Sequence, residues 1–178
     1  MGMNAEFGTS EWSVMLAVSQ ANTYDVVINQ VGITEKRKEV FDFSEPCTVS
    51  CRQLIVRKNV KREVRTPADL KGKKLGLGQG TNFGDLAKAV GGIDGKTYPG
   101  SPEYLQNLAL GRIDAALNDS LLISRVVKQT RLPLKHGAQW ENSNARAFRS
   151  PRALCSSKLP LTRPWPTSRQ TAALQEPR

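Results

Sequence analysis

Apolar and polar positions alternate along this chain in blocks that predict helix and strand in turn. Residues 11–21, EWSVMLAVSQA, place Trp12, Met15, Leu16 and Val18-Ser19 at helical spacing, with Ser10 as the candidate cap. Asn22-Thr23 ends that helix. The apolar run Val26-Val27-Ile28 then has the character of a buried strand, and Asn29-Gln30-Val31-Gly32 reads as the polar turn after it. Thr34 is placed to cap a short helix that carries Arg37 in its first turn. Phe41-Asp42-Phe43 alternates and should tuck an aromatic ring under a sheet. Leu54-Ile55-Val56, bounded by charges within residues 50–58, predicts another strand.

From residue 59 to 135 helix and strand repeat. Thr66 caps a short helix with Pro67 at its first position, and residues 73–77 form a strand. Residues 81–90 form a helix and 96–98 a strand. Residues 101–110 form a helix capped by Ser101 and stopped by Gly111. Residues 114–117 form a strand and 119–128 a helix. Strands separated by helices of this length predict an α/β fold with a mostly parallel sheet. After His136 no period is sustained, and Ser, Arg and Pro dominate, which reads as disorder.

Composition alters this picture in one place. The 178 residues carry a net charge of +10. From Gly137 onward there are seven Lys/Arg against two Asp/Glu, so about half of the excess lies in the last quarter of the chain. No stretch approaches the roughly 20 apolar residues of a membrane helix. The start, MGMNAEFGTSEW, lacks the basic and apolar regions of a secretory signal. Cys47, Cys51 and Cys155 cannot all pair with one another, and with His136 as the single histidine they argue against a zinc site.

The candidate chemistry gathers at residues 25–46, DVVINQVGITEKRKEVFDFSEP. A strand end, a glycine that lets backbone approach a ligand, and an arginine one turn into a helix form a cradle for a carboxylate. Two other patterns compete weakly. Gly76-x-Gly78-x-Gly80 follows a strand, as a dinucleotide loop does, but its spacing is not GxGxxG. The basic run at residues 58–65, KNVKREVR, could meet phosphates, but it lacks interleaved aromatics and reads as a solvated face.

This segment, DVVINQVGITEKRK followed by FDFSEP, resembles the most recognisable stretch of the periplasmic solute-binding proteins, family 3, which deliver polar amino acids to ABC transporters. Cystine and polar-amino-acid binders are the most similar by eye. PADLKGKKLGLGQGTN and YPGSPEYLQNLALGRIDAALND match the family's second lobe almost throughout. The resemblance implies a bilobal, periplasmic-binding-protein-like α/β fold of type II, with the first lobe incomplete and the second nearly complete. It divides the chain into a partial first lobe with the first hinge strand (1–57), a second lobe (58–136) and a tail unlike the family (137–178).

For the site, the resemblance implies Arg37 as the fork for the ligand's α-carboxylate, with the backbone N–H of Gly32 in the same cluster and Gln30 lining the pocket. Thr81 and Asn82 open a helix whose N-terminus favours anions. Asp119 matches the position that holds the α-ammonium; from the bare sequence it reads equally as a helix N-cap. The partners implied are a free polar amino acid and the ABC permease, with no cofactor, no metal, no nucleic acid and no catalysis, in a periplasmic monomer.

The chain also departs from the family's pattern. It starts after the family's first strand, which lies centrally in lobe one, so neighbouring backbone groups are expected to lack partners. The return crossing and closing helices look lost. Read two bases out of frame with codons chosen freely, residues 152–174 can spell a sequence like those helices, and a frameshift near residues 136–150 is the expectation. Cys47 and Cys51 stand where relatives have an aromatic and a glycine. Residues four apart on a strand lie too far apart for a disulfide. On this reading the chain is a defective fragment with weak or absent binding and, lacking a signal, of uncertain export. The alternatives are a dehydratase of the same fold acting on a cyclic amino-acid precursor, and a basic nucleic-acid binder.

Overall fold

A computed structural model describes residues 6–44, 46, 48–60, 64, 66–140 and 150–156 of the chain. Two sheets organise it. The rear sheet has five strands in the order β6 (Asp94–Tyr98), β5 (Lys74–Gly78), β7 (Ala115–Asp119), β4 (Arg52–Arg57) and β8 (Leu134–Gln139). β5 runs parallel to both β6 and β7, whereas β4 is antiparallel to β7 and to β8, so the expected parallel sheet is mixed.

Helices cover both faces of this sheet, which is why its middle strands are apolar at successive positions rather than at alternate ones. Leu54, Val56, Leu75, Leu77 and Leu117 point to one face and pack with Phe83 and Ala87 of α3 (Phe83–Val90), with Leu70 and with Trp140. Ile55 and Ala116 point to the other, against Tyr104, Leu105 and Leu108 of α4 (Ser101–Ala109) and Ile123 of α5 (Ser120–Gln129). Gly76, in the middle of β5, explains the glycine run that resembles a dinucleotide loop. A Cβ there would meet Ile113 Cδ1 at 2.5 Å, so the glycine lets the α4 side pack onto the strand.

The front sheet is smaller. β9 (Ser150–Ser156) pairs antiparallel with β1 (Val26–Gly32), β2 (Asp42–Phe43) and β3 (Thr48–Ser50). Met15 of α1 (Trp12–Gln20), Val27, Val31 and Phe41 form its core, flanked by Trp12, Leu16 and Phe43. The aromatic expected under the sheet is thus Phe41. Val26 and Ile28 alternate with Val27 and stay 40% and 67% exposed. Among the described residues β1 has no strand on its other side.

Several expectations change. The turn at Asn29–Gly32 is instead strand, because β1 runs through a register shift between Val27 and Val31 to Gly32. α1 is capped by Glu11 and α4 by Gly100, neither with a side-chain bond, so Ser10 and Ser101 do not cap. Arg52–Arg57, expected with the front unit, hydrogen-bonds within the rear sheet. The ordered chain also runs past His136. β8 continues to Gln139, Trp140 N–H donates to the Arg52 carbonyl, and β9 returns to the front sheet. The return crossing is therefore present. The rest of the expected unstructured tail, residues 141–149 and 157–178, lies outside the described residues, as does Cys47.

Candidate functional site

The junction of the two sheets is built from strand ends. β5 and β7 are parallel, with Gly76 opposite Ala116, so the loop after β5 and the end of β7 emerge at one edge of the rear sheet. In open α/β sheets this carboxyl edge is where ligands bind. The loop is Gly78-Gln79-Gly80-Thr81-Asn82. Gly80 has a φ of +74°, and its backbone lies against Ser13 of α1, 3.4 Å from where a Cβ would stand. The front unit therefore abuts this loop.

Arg37 joins them. Thr34 Oγ1 accepts a hydrogen bond from the Arg37 backbone N–H at 3.2 Å, which holds the four-residue helix α2 (Glu35–Lys38) as the sequence predicts. From there the guanidinium donates through Nη1 to the Gly32 carbonyl at 3.0 Å and through Nη2 to the Gly80 carbonyl at 3.1 Å. A guanidinium is a planar fork of five N–H donors, so anchoring two of them on carbonyls fixes the plane in which the others lie.

Each of the other predicted residues has its own local partners. Gly32 contributes its carbonyl to Arg37. Thr81 donates its hydroxyl to the Gly78 carbonyl at 2.7 Å, closing the loop on itself. Asn82 caps α3 through its backbone position, with no side-chain bond. The backbone of Gln30 lies in β1, and its side chain is outside the description.

Asp119 ends β7 and caps α5, its Oδ1 accepting from Leu121 N–H at 2.9 Å. It is only 4% exposed. The reading of Asp119 as an N-cap is therefore correct, and it leaves room for more, since a carboxylate offers about four acceptor positions. Its Oδ2 accepts from the hydroxyl of Ser50, a buried residue of β3 in the front sheet that sequence reasoning missed. A serine before a crossing strand carries no signal of its own. Ser120 N–H donates to the Cys51 carbonyl at 2.9 Å, so the start of α5 is tied to the crossing point itself. The Cys51 thiol is free.

A cavity of about 330 Å³ lies elsewhere, lined by Val56, Val60, Val64, Lys135 and His136 among others. It is at the far end of β4 from Arg52, and none of the candidate residues lines it. Among the described residues no group of three or more His, Cys, Asp or Glu could hold a metal ion, and no helix is long and apolar enough to cross a membrane.

Comparison with known proteins shows the family. The family of bacterial extracellular solute-binding proteins, family 3, matches residues 1–137. The chain belongs to that family. It is 44% identical over 131 residues to the L-cystine-binding protein TcyJ of Escherichia coli K12, covering 73% of this chain and 49% of that protein. It is 33% identical over 129 residues to the L-cystine-binding protein TcyA of Bacillus subtilis, covering 72% and 47%. An ancestral arginine-binding protein bound to arginine superposes with a TM-score of 0.76 at 27% identity, over 88% of this chain and 68% of that one. This family 3 chain spans about half the length of the curated relatives it matches. The match ends at residue 137, close to where the resemblance in the sequence stops.

Proposed function

We propose that this chain binds a free polar amino acid between its front and rear units, as the solute-binding component of an ABC importer. The observation that carries the reading is the Arg37 guanidinium, held between a front-sheet carbonyl (Gly32) and a rear-loop carbonyl (Gly80). Such a group meets an α-carboxylate bidentately, and the donors at the start of α3, near Thr81 and Asn82, favour the same anion. Asp119, at the same rear edge, offers the opposite charge for the α-ammonium. On the resemblance to the family, Gln30 and the backbone N–H of Gly32 are proposed as further ligand contacts. The family and the names of the relatives support this reading, and with it a periplasmic location and delivery of the ligand to membrane permease subunits; that the chain acts as a monomer is part of the proposal. The same arrangement binds without performing chemistry. No observation favours the dehydratase or nucleic-acid alternatives.

Titration calorimetry of the full chain with L-cystine, L-arginine and L-glutamine tests the proposal. One of them should bind. Arg37→Met should weaken it by at least about tenfold, the loss of a charge-assisted hydrogen bond worth roughly 1.5–3 kcal/mol. Asp119→Asn should weaken it similarly. Binding of none of the three, or binding indifferent to both substitutions, overturns the assignment.

A further inference from the structure

The edge of the rear sheet opposite the candidate site is lined with cations. β5, β6 and β7 all begin there: Lys74 stands opposite Asp94, and its carbonyl accepts from Asp114 N–H at 2.9 Å. β4 is antiparallel to β7 and so ends there, where Lys58 N–H donates to the Pro133 carbonyl just before β8 starts. The helices run back along the sheet and end there too. Gly72 N–H donates to the Gly92 carbonyl beyond α3 at 2.7 Å, and Arg57, last in β4, donates to the Leu108 carbonyl in the final turn of α4. Lys58, Lys71, Lys73, Lys74, Arg112 and Arg131 lie in the loops and strand ends of this edge, and all are exposed. Lys88 and Lys128, also exposed, lie in the last turns of α3 and α5, where a cation answers the helix dipole. The other six lie outside any α-helix. Against these eight, the carboxylates of the same edge among the described residues are Asp69, Asp94 and Asp114. Each has a partner of its own: Thr66 for Asp69, Lys96 for Asp94 and the Lys74 N–H for Asp114. At the edge that carries Thr81 and Asp119 the sign is reversed, with Asp85 and Glu103 in the first turns of α3 and α4.

We infer that this far edge is a docking surface for the anionic headgroups of a phospholipid membrane. The inference goes beyond the amino-acid reading and does not rest on it. The charges cover an area rather than a line. Five strands about 4.8 Å apart make the edge roughly 20 Å wide, and helices on both faces of the sheet extend it the other way. A nucleic acid is met along a stripe or groove, by forked arginines and stacking aromatics. Here six of the eight cations are lysines, and none of the described aromatic side chains lies at this edge. Lysine is a point charge on a flexible stem, which suits diffuse attraction to a plane of headgroups. Each such charge near an anionic surface contributes about fivefold to partition. Docking by this edge leaves the opposite one, with Thr81 and Asp119, facing solvent.

Flotation of the full chain with lipid vesicles tests this at neutral pH and about 0.1 M salt, where screening is effective beyond about 10 Å. The chain should float with vesicles of phosphatidylcholine and phosphatidylglycerol and stay behind with phosphatidylcholine alone. Lys71→Gln, Lys73→Gln and Lys74→Gln together should lower partition at least about tenfold. The same three lysines changed to arginine keep the charge and should keep the binding. Removing three charges from the tail instead, with Lys158→Gln, Arg163→Gln and Arg169→Gln, should change partition less than about twofold. An equal loss in the tail variant would trace binding to net charge or to the tail, and overturns the assignment. So does equal flotation with both vesicles, or flotation with neither. Tighter binding to duplex DNA, lost in the same lysine-to-glutamine variant, would make the edge a nucleic-acid surface and also overturns it. None of these outcomes bears on whether the chain binds an amino acid.

Discussion

Tyr104 shows how a single side chain couples the rear core to pH. It is 1% exposed, packs edge-on against Tyr98 with ring centroids 6.4 Å apart, and its hydroxyl oxygen accepts from Asn118 Nδ2 at 2.5 Å. Burial disfavours the phenolate, and the Asn118 bond offsets this only in part, so the phenol is pushed up from 10.0 to about 12. The folded state thus holds the proton that the unfolded chain releases first. The stability this contributes is intact below about pH 10 and is lost as pH rises from 10 towards 12. The slope is about 1.4 kcal/mol per pH unit and the total roughly 2–3 kcal/mol. Other groups titrate in the same range, so the expected measurement is a difference. Urea melts at pH 9 and pH 11.5 should show a larger alkaline loss for the unaltered chain than for Tyr104→Phe. Equal losses would contradict this account.

At the scale of elements, legibility followed locality. The α2 cap was readable because Thr34 bonds a backbone group three residues on. β4 and β7 were readable because a strand covered on both faces is continuously apolar. The candidate site residues Arg37 and Asp119 stood out through a strand-end motif, a cap and the resemblance to the family. Contacts that depend on tertiary placement were not visible: Ser50 to Asp119, or Arg37 to Gly80. Nor was the role of the glycines in β5, since the residues that demand Gly76 are Ile113 and Tyr104, one helix away. That role separates two substitutions of identical chemistry. Gly76→Ala forces a methyl into Ile113 and should lower stability by about 1–3 kcal/mol. Gly84 is in α3 with nothing within 4 Å of an added Cβ, so Gly84→Ala should be neutral or stabilising by up to about 1 kcal/mol. Melting temperatures of the two variants decide it, and a harmless Gly76→Ala would return those glycines to a ligand-binding explanation.

For the molecule as a whole, the two sheets differ in how they are held. The rear sheet has helices on both faces and two buried clusters, whereas among the described side chains the front core has four buried apolar residues. More tellingly, β1, β2 and β3 share one partner, β9, and among the described residues they do not pair with one another. No periodic signal marks β9, because Ser150-Pro151-Arg152-Ala153-Leu154-Cys155-Ser156 carries neither a continuous apolar run nor a strict alternation. The front sheet should therefore be lost as a unit when the β9 ladder is broken. Ala153 pairs with Val31 in the middle of β9. Ala153→Pro removes a backbone donor from a central strand, a change costing about 3 kcal/mol or more. Hydrogen exchange followed by mass spectrometry should then show β1, β2 and β3 exchanging quickly, while Leu54–Val56 and Ala115–Leu117 stay protected. If the rear strands lose protection to the same extent, the two sheets unfold as one cooperative body; if β1 stays protected, β9 is not what holds the front sheet.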